Sequence, residues 1–256
     1  MCYDDSARPP YPPVANGAAR GEELVLTADD GNRLLAYAAH PEQPVSAQVV
    51  IFPDARGLQP FYKELALRFA EIGMEAVAID YYGRTAGLTA RDDSFDPMPH
   101  LEQGRQSQTA AMQGLFADRT AALAYLHAGA GKERTTFTVG FCMGGALSFL
   151  TATTDIGVVG AIGFYASSTY EGYFLDKAEQ IKYPVLGMFG DADHVIPVSD
   201  VRVFDEKLDK TGVEHKIIIY PGAPHAFFER QMVEYAGDAW QHMLEFINAH
   251  TPPTKS

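Results

Sequence analysis

The 256-residue sequence predicts an α/β fold: a mainly parallel central sheet of about eight strands with helices on both faces. Three observations carry that expectation. Six short runs are nearly continuous in apolar residues, the composition of strands covered on both faces. Segments with helical spacing separate those runs, and such alternation implies parallel strands joined by crossover helices. Ahead of them two alternating runs meet at Asp30-Gly31, a hairpin signal with few rival readings.

Taken in order, residues 1–20 form an acidic, proline-rich arm. Pro9, Pro10, Pro12 and Pro13 lack amide donors and hold the chain near polyproline geometry. The arm either packs on the body or trails as a tail. "EELVLTADDGNRLLAYAA" is the hairpin. The six apolar strands are Gln48 to Asp54, Glu75 to Tyr81, Thr135 to Gly140, Gly160 to Ala166, Pro184 to Asp191 and His215 to Gly222. Helical spacing marks Tyr62 to Ile72, Gln108 to His127, Gly144 to Ala152, Val198 to Leu208 and Met232 to Ala249. No linker divides residues 21–250, which read as one domain before a short tail at 251–256. Thr85 to Gln106 breaks the rhythm. It is longer than an ordinary connection and carries little periodicity, so it reads as a flap over the site or as a surface loop.

A net charge of −13 excludes nucleic acid and an anionic membrane surface as general partners, since both need a basic face. It leaves room for one small anion held by a local arginine. Cys2 and Cys142 are the only cysteines, too few for a disulfide framework. The amino terminus has no basic n-region or apolar h-region, and no apolar run reaches the ~18 residues of a membrane span. The expectation is a reduced, cytoplasmic protein.

Chemistry concentrates in "TVGFCMGGALSFL", Thr138 to Leu150. A strand, G-x-C-x-G-G and a helix make the cysteine form of a nucleophile elbow, in which glycines remove side chains that would collide at a sharp turn. A helix amino terminus behind Cys142 favours the thiolate. The competing reading is a buried structural cysteine beside glycines used for close packing.

A nucleophile needs a base, and the base an orienting acid. On sheets of this kind the acid and then the histidine follow the nucleophile in the chain. "GMFGDADHVIP" offers Asp191 and Asp193 at one strand end, and "YPGAPHAFF" offers His225 at the last. Of eight histidines His225 alone has the position and order required. Asp193 is preferred as the acid, because Asp191 directly follows the strand and suits a turn. The amide of Met143, with that of Ala55 in "FPDARG", would form the oxyanion hole.

These motifs resemble the dienelactone hydrolases, or carboxymethylenebutenolidases, from about Glu22 to Ala249. The resemblance rests on "GFCMGGALSFL", "GDADHVIP" and "YPGAPHAFF". It implies an α/β-hydrolase fold and a catalytic triad of Cys142, Asp193 and His225, with no metal and no cofactor. It also implies that Asp54 is the thiol-activating acid, where the family usually has a glutamate one carbon longer. Arg84 in "DYYGRTAG" matches an arginine that binds the substrate carboxylate. A second such arginine normally follows the histidine by four residues; here that position is Glu229, and Arg230 is next to it. "GYYG" becomes "GFYA", which keeps Tyr165 in the substrate pocket. The partner implied is a small ester or lactone, with an anionic one accommodated by Arg84 and Arg230.

The leading reading is therefore a cysteine hydrolase of small esters or lactones working through an acyl-enzyme. The alternative is a ligand-binding or thiol-sensing protein on the same scaffold. A small peptidase ranks lower, since no propeller or large cap is present.

Overall fold

The computed structural model describes residues 3–14, 17–106, 108–128, 132–167 and 173–252, without the side chains of 108, 109 and 173. Cys2 lies outside the described residues. Eight strands form one sheet: β1 (Ala19–Thr27), β2 (Arg33–Pro41), β3 (Ala47–Phe52), β4 (Glu75–Ile79), β5 (Thr135–Phe141), β6 (Gly160–Phe164), β7 (Val185–Gly190) and β8 (His215–Tyr220). Their spatial order is β1-β2-β4-β3-β5-β6-β7-β8. The β1–β2 hairpin turns through Gly31 at φ 85°, a conformation that costs glycine nothing. β2 also runs antiparallel to β4, and every later pairing is parallel.

Every apolar run except that of β5 extends one or two residues past its strand. Those residues, Asp54, Tyr81, Tyr165 and Asp191 among them, stand in the loops at the carboxyl edge of the sheet. Ligands collect at that edge in parallel sheets.

The period of two along β3 explains the two layers. Val49 and Ile51 face a core shared with α1 (Pro60–Glu71) and α8 (Val233–Ala249). Val50 and Phe52 face a second core with α4 (Gln108–His127), through Ala122, Leu123 and Leu126. The first layer is locked where Phe69 of α1 meets Trp240 of α8, ring centroids 5.0 Å apart. α7 (Val198–Thr211) adds Val201, Phe204 and Leu208 to that layer. α5 (Met143–Thr151) has every residue buried, and a short α6 (Tyr173–Lys177) lies between β6 and β7.

The 85–106 segment differs from its reading as one long irregular stretch. It holds the end of a short α2 (Gly83–Ala86) and a helix α3 (Met98–Gln106). α3 buries Leu101 alone, so it leaves no periodic apolar signal. The coil between them is bolted down by Arg91, whose guanidinium pairs with Asp80 at 2.9 Å with both side chains fully buried.

The arm lies on the body. Tyr3, Ala7, Pro9, Pro10 and Pro12 are buried. The indole of Trp240 donates to the Pro10 carbonyl at 3.2 Å, and the Arg230 amide donates to the Arg8 carbonyl at 2.9 Å. Among the described residues no helix is long and apolar enough to cross a membrane.

Candidate active site

The elbow follows from steric necessity. Cys142 sits between β5 and α5 at φ 54°, ψ −113°, a conformation rare for any residue with a side chain. A Cβ on Gly140 would stand 1.9 Å from the Gly144 carbonyl oxygen, and one on Gly144 would stand 2.1 Å from that of Phe52. Both glycines are therefore required for β5, α5 and the end of β3 to converge on the thiol. Hydrogen bonds hold the turn: the Cys142 amide donates to the Phe164 carbonyl at 3.0 Å, and its carbonyl accepts from Ser167 at 3.0 Å. Cys142 is 7% exposed.

His225 follows β8 and Asp193 follows β7. The ring Nδ1 is 2.7 Å from Asp193 Oδ2, so the imidazole donates and its other nitrogen is the one able to accept a proton. The remaining Asp193 oxygen accepts from the amides of Val195 and Ile196, at 2.7 and 3.0 Å. Burial pushes this carboxyl up, but His225 and the two amides outweigh it and hold it below the ordinary carboxylate range. Asp191 instead accepts the Gly222 amide at 2.6 Å and shapes the turn. Among the described residues three non-glycine residues have positive φ: Cys142, Tyr165 and Ala226. They are the elbow, a residue whose ring lies 4.8 Å from that of His225, and the residue after His225. Backbone strain of about 1–3 kcal/mol each thus gathers at one place.

Asp54 is 1% exposed at the end of β3. One oxygen accepts from the Tyr62 hydroxyl at 2.8 Å and the Tyr3 amide at 3.3 Å, the other from the Arg56 amide at 2.7 Å. Tyr81 donates to the Pro53 carbonyl at 2.8 Å, and Tyr82 donates to that of Ala55. Burial first, and Asp54 second, keep the Tyr81 phenol protonated far above its usual range. The loop bearing the Ala55 amide is thereby fixed opposite the first turn of α5, where Met143 supplies an amide with no carbonyl one turn behind it.

The Dienelactone hydrolase family model matches residues 34–251. The chain belongs to that family. It is accordingly a hydrolase of carboxylic ester and lactone bonds. It is 27% identical over 233 residues to an inferred carboxymethylenebutenolidase of Escherichia coli K12, covering 86% of this chain and 84% of that one. It is 28% identical over 239 residues to an inferred 2-oxo-3-(5-oxofuran-2-ylidene)propanoate lactonase of Bradyrhizobium, covering 86% and 91%. The crystal structure of an inferred dienelactone hydrolase from Klebsiella pneumoniae superposes with a TM-score of 0.75 at 25% identity, over 90% of this chain and 99% of the other. The α/β-hydrolase fold expected from the motifs is the fold observed.

Within this family member the remaining predicted positions fall in two places. A cavity of about 360 Å³ reaches the elbow at Met143 and is walled by Tyr81, Tyr82, Leu147, Leu150 and Phe174. Arg84 is on its wall, but its guanidinium is held by Asp118 at 2.7 Å, by Asp30 and by the Gly114 carbonyl at 3.1 Å. Arg230 faces the arm: it bonds Glu64 and the Pro9 carbonyl and lies 4.2 Å over the Tyr11 ring. Tyr165 is 1% exposed, its hydroxyl bonded to that of Tyr3. Among the described residues no three His, Cys, Asp or Glu side chains are grouped to hold a metal ion.

Sequence reasoning missed Tyr3 and Tyr62. Tyr62 carries a faint signal as a tyrosine on the buried stripe of α1, where its hydroxyl needs an acceptor. Tyr3 carries none, being 51 residues from Asp54 and 162 from Tyr165.

Proposed function

We infer that the protein is a cysteine-dependent hydrolase of small esters or lactones that turns over through a thioester on Cys142. The observation that carries this reading is the 2.7 Å contact between His225 Nδ1 and Asp193 at the strand ends beside the strained elbow. In this mechanism His225 takes the Cys142 proton and the thiolate attacks the carbonyl carbon. The amides of Ala55 and Met143 hold the oxyanion, an effect of about 3–4 kcal/mol per donor in acyl transfer. Collapse of the adduct releases the alkoxide, which takes the proton from His225. A water then gives its proton to His225 and attacks the thioester, and the acid leaves as the thiol re-forms.

An ordinary thiol of pKa ~8.5 is only a few per cent ionised near neutrality, so activation matters. Asp54, its oxygens fixed by Tyr62, Arg56 and Tyr3, accepts the thiol proton first as substrate arrives and passes it on to His225. The test is steady-state hydrolysis of p-nitrophenyl hexanoate with mass spectrometry of the quenched enzyme. Wild type turns over continuously and carries a hexanoyl group on Cys142; Cys142→Ala loses at least ~1000-fold in kcat. An active alanine variant, or a single stoichiometric burst with no turnover, refutes the mechanism.

A further inference from the structure

We propose that the substrate is an uncharged ester or lactone with an apolar body, and that the site rejects one bearing a carboxylate. This rests on the cysteine-hydrolase reading above and adds the chemical class of its substrate. The cavity next to the elbow is walled mainly by apolar side chains, Leu101, Met112, Leu115, Leu147, Leu150 and Phe174 among them. At about 360 Å³ it falls at the small end of ligand sites.

The one arginine on its wall is already neutralised. Arg84 is fastened to two carboxylates, Asp30 and Asp118. The arrangement is built in: a Cβ on Gly114 would stand 2.6 Å from Arg84 Nε, so a glycine on α4 lets the guanidinium settle there. With both acids ionised the three groups sum to −1. Burial raises the Asp118 carboxyl despite Asn32 and Arg84, and with Asp118 protonated they sum to 0. Neither state offers an anion a net positive charge.

Among the described residues no other arginine lines the cavity. Arg91 is closed on Asp80, Arg56 on Asp93 at 2.8 Å and the Tyr3 carbonyl at 2.9 Å, and Arg230 on Glu64. Past His225 the fold places Glu229, whose carboxyl is raised by burial and then by Asp4. Besides Arg84 the wall carries the imidazole of His100, stacked on Phe95 with centroids 5.3 Å apart, so a carboxylate entering here loses water and gains no fixed counter-charge, which disfavours it.

The test compares p-nitrophenyl hexanoate with mono-p-nitrophenyl adipate, which carries a carboxylate at the end of the same six-carbon acyl chain. The neutral ester should have the higher kcat/KM by at least about tenfold. Asp30→Asn removes one of Arg84's counter-charges from outside the cavity and should raise the adipate-to-hexanoate ratio roughly threefold. A second readout needs no turnover: protection of Cys142 from iodoacetamide by hexanamide against 6-amino-6-oxohexanoate. Hexanamide should protect at about tenfold lower concentration. Protection by hexanamide with neither ester hydrolysed would sink the catalytic reading and leave this one standing. Equal or better use of the carboxylate partner in either readout, or no protection by either amide, overturns it.

Discussion

The two flanks of the elbow are built from the same kinds of residue and do opposite things. On one side Tyr81, Tyr82, Leu147 and Phe174 stand around about 360 Å³ of space. On the other, the Tyr3 ring is buried, stacked on Phe61 with centroids 3.7 Å apart. Its hydroxyl bonds that of Tyr165 and the Phe228 carbonyl at 2.7 Å, while its amide reaches Asp54. The difference teaches that aromatic residues at a site do not by themselves mark a ligand pocket. The polar tips are satisfied by the protein on both flanks, and what decides is whether another side chain fills the space between the rings. On the arm flank the hydroxyls of Tyr3 and Tyr165 bond each other and that of Tyr62 bonds Asp54. On the cavity flank the tips of Tyr81 and Tyr82 turn to backbone carbonyls, Tyr82 packs on Phe95 and His100, and the space lined by Tyr81, Tyr82 and His100 stays open.

The sharpest separation of chemistry from both flanks is Asp193→Asn. The amide keeps the shape of the carboxylate but cannot hold the same imidazole tautomer or stabilise its charged form. We expect kcat to fall by ~1000-fold or more, with protection of Cys142 by hexanamide unchanged. The same variant tests the linkage. The folded-state pKa of Asp193 is depressed, so its contribution to stability is present above the unfolded value of ~3.9 and is lost as pH falls through the folded value. Urea unfolding between pH 5 and 2, as an approximate window, should show a shallower acid decline in Asp193→Asn than in wild type. An identical slope would mean that the pair does not couple to folding.

Legibility follows how local each constraint is. The glycines of the elbow could be read because the atoms they avoid are mostly a few residues away or on the neighbouring strand: Gly140 is kept bare by Gly144. Asp193 and His225 could be read because strand ends bring them to one edge in a set order. The direction of a long side chain could not. Arg84 matches a carboxylate-binding position by motif, yet its acids lie 54 and 34 residues away, and nothing near Arg84 in the chain announces them. Helix α3 went unread for the related reason that a single buried residue gives no period.

The packed flank should respond mainly in stability. Tyr3→Ala removes a ring that is 4% exposed and stacked on Phe61, and should cost about 3 kcal/mol by urea unfolding. Tyr3→Phe keeps the ring and the amide contact to Asp54 and loses only the hydroxyl bonds, about 1 kcal/mol. If the arm positions the acid, Tyr3→Ala should also shift the pH profile of Cys142 alkylation while Tyr3→Phe leaves it near wild type. Equal profiles in both variants would reduce the arm to a covering strap.

The open flank should respond in binding with little change in stability, which makes Ala111→Phe the finest probe of the contrast. Ala111 is half-buried on α4 and lines the cavity. Added bulk in a close-packed core forces shifts that cost about 1–3 kcal/mol, but here the ring would enter existing space. KM for p-nitrophenyl hexanoate should rise roughly three- to tenfold, since a few methylenes of contact are denied to the acyl chain. The value of kcat and the unfolding midpoint should stay near wild type, because Cys142, His225 and the amides of Ala55 and Met143 are untouched. Should KM for the hexanoate and for the shorter p-nitrophenyl acetate rise together, the cavity is only a path to the thiol. A rise confined to the hexanoate makes it the place where the acyl chain rests.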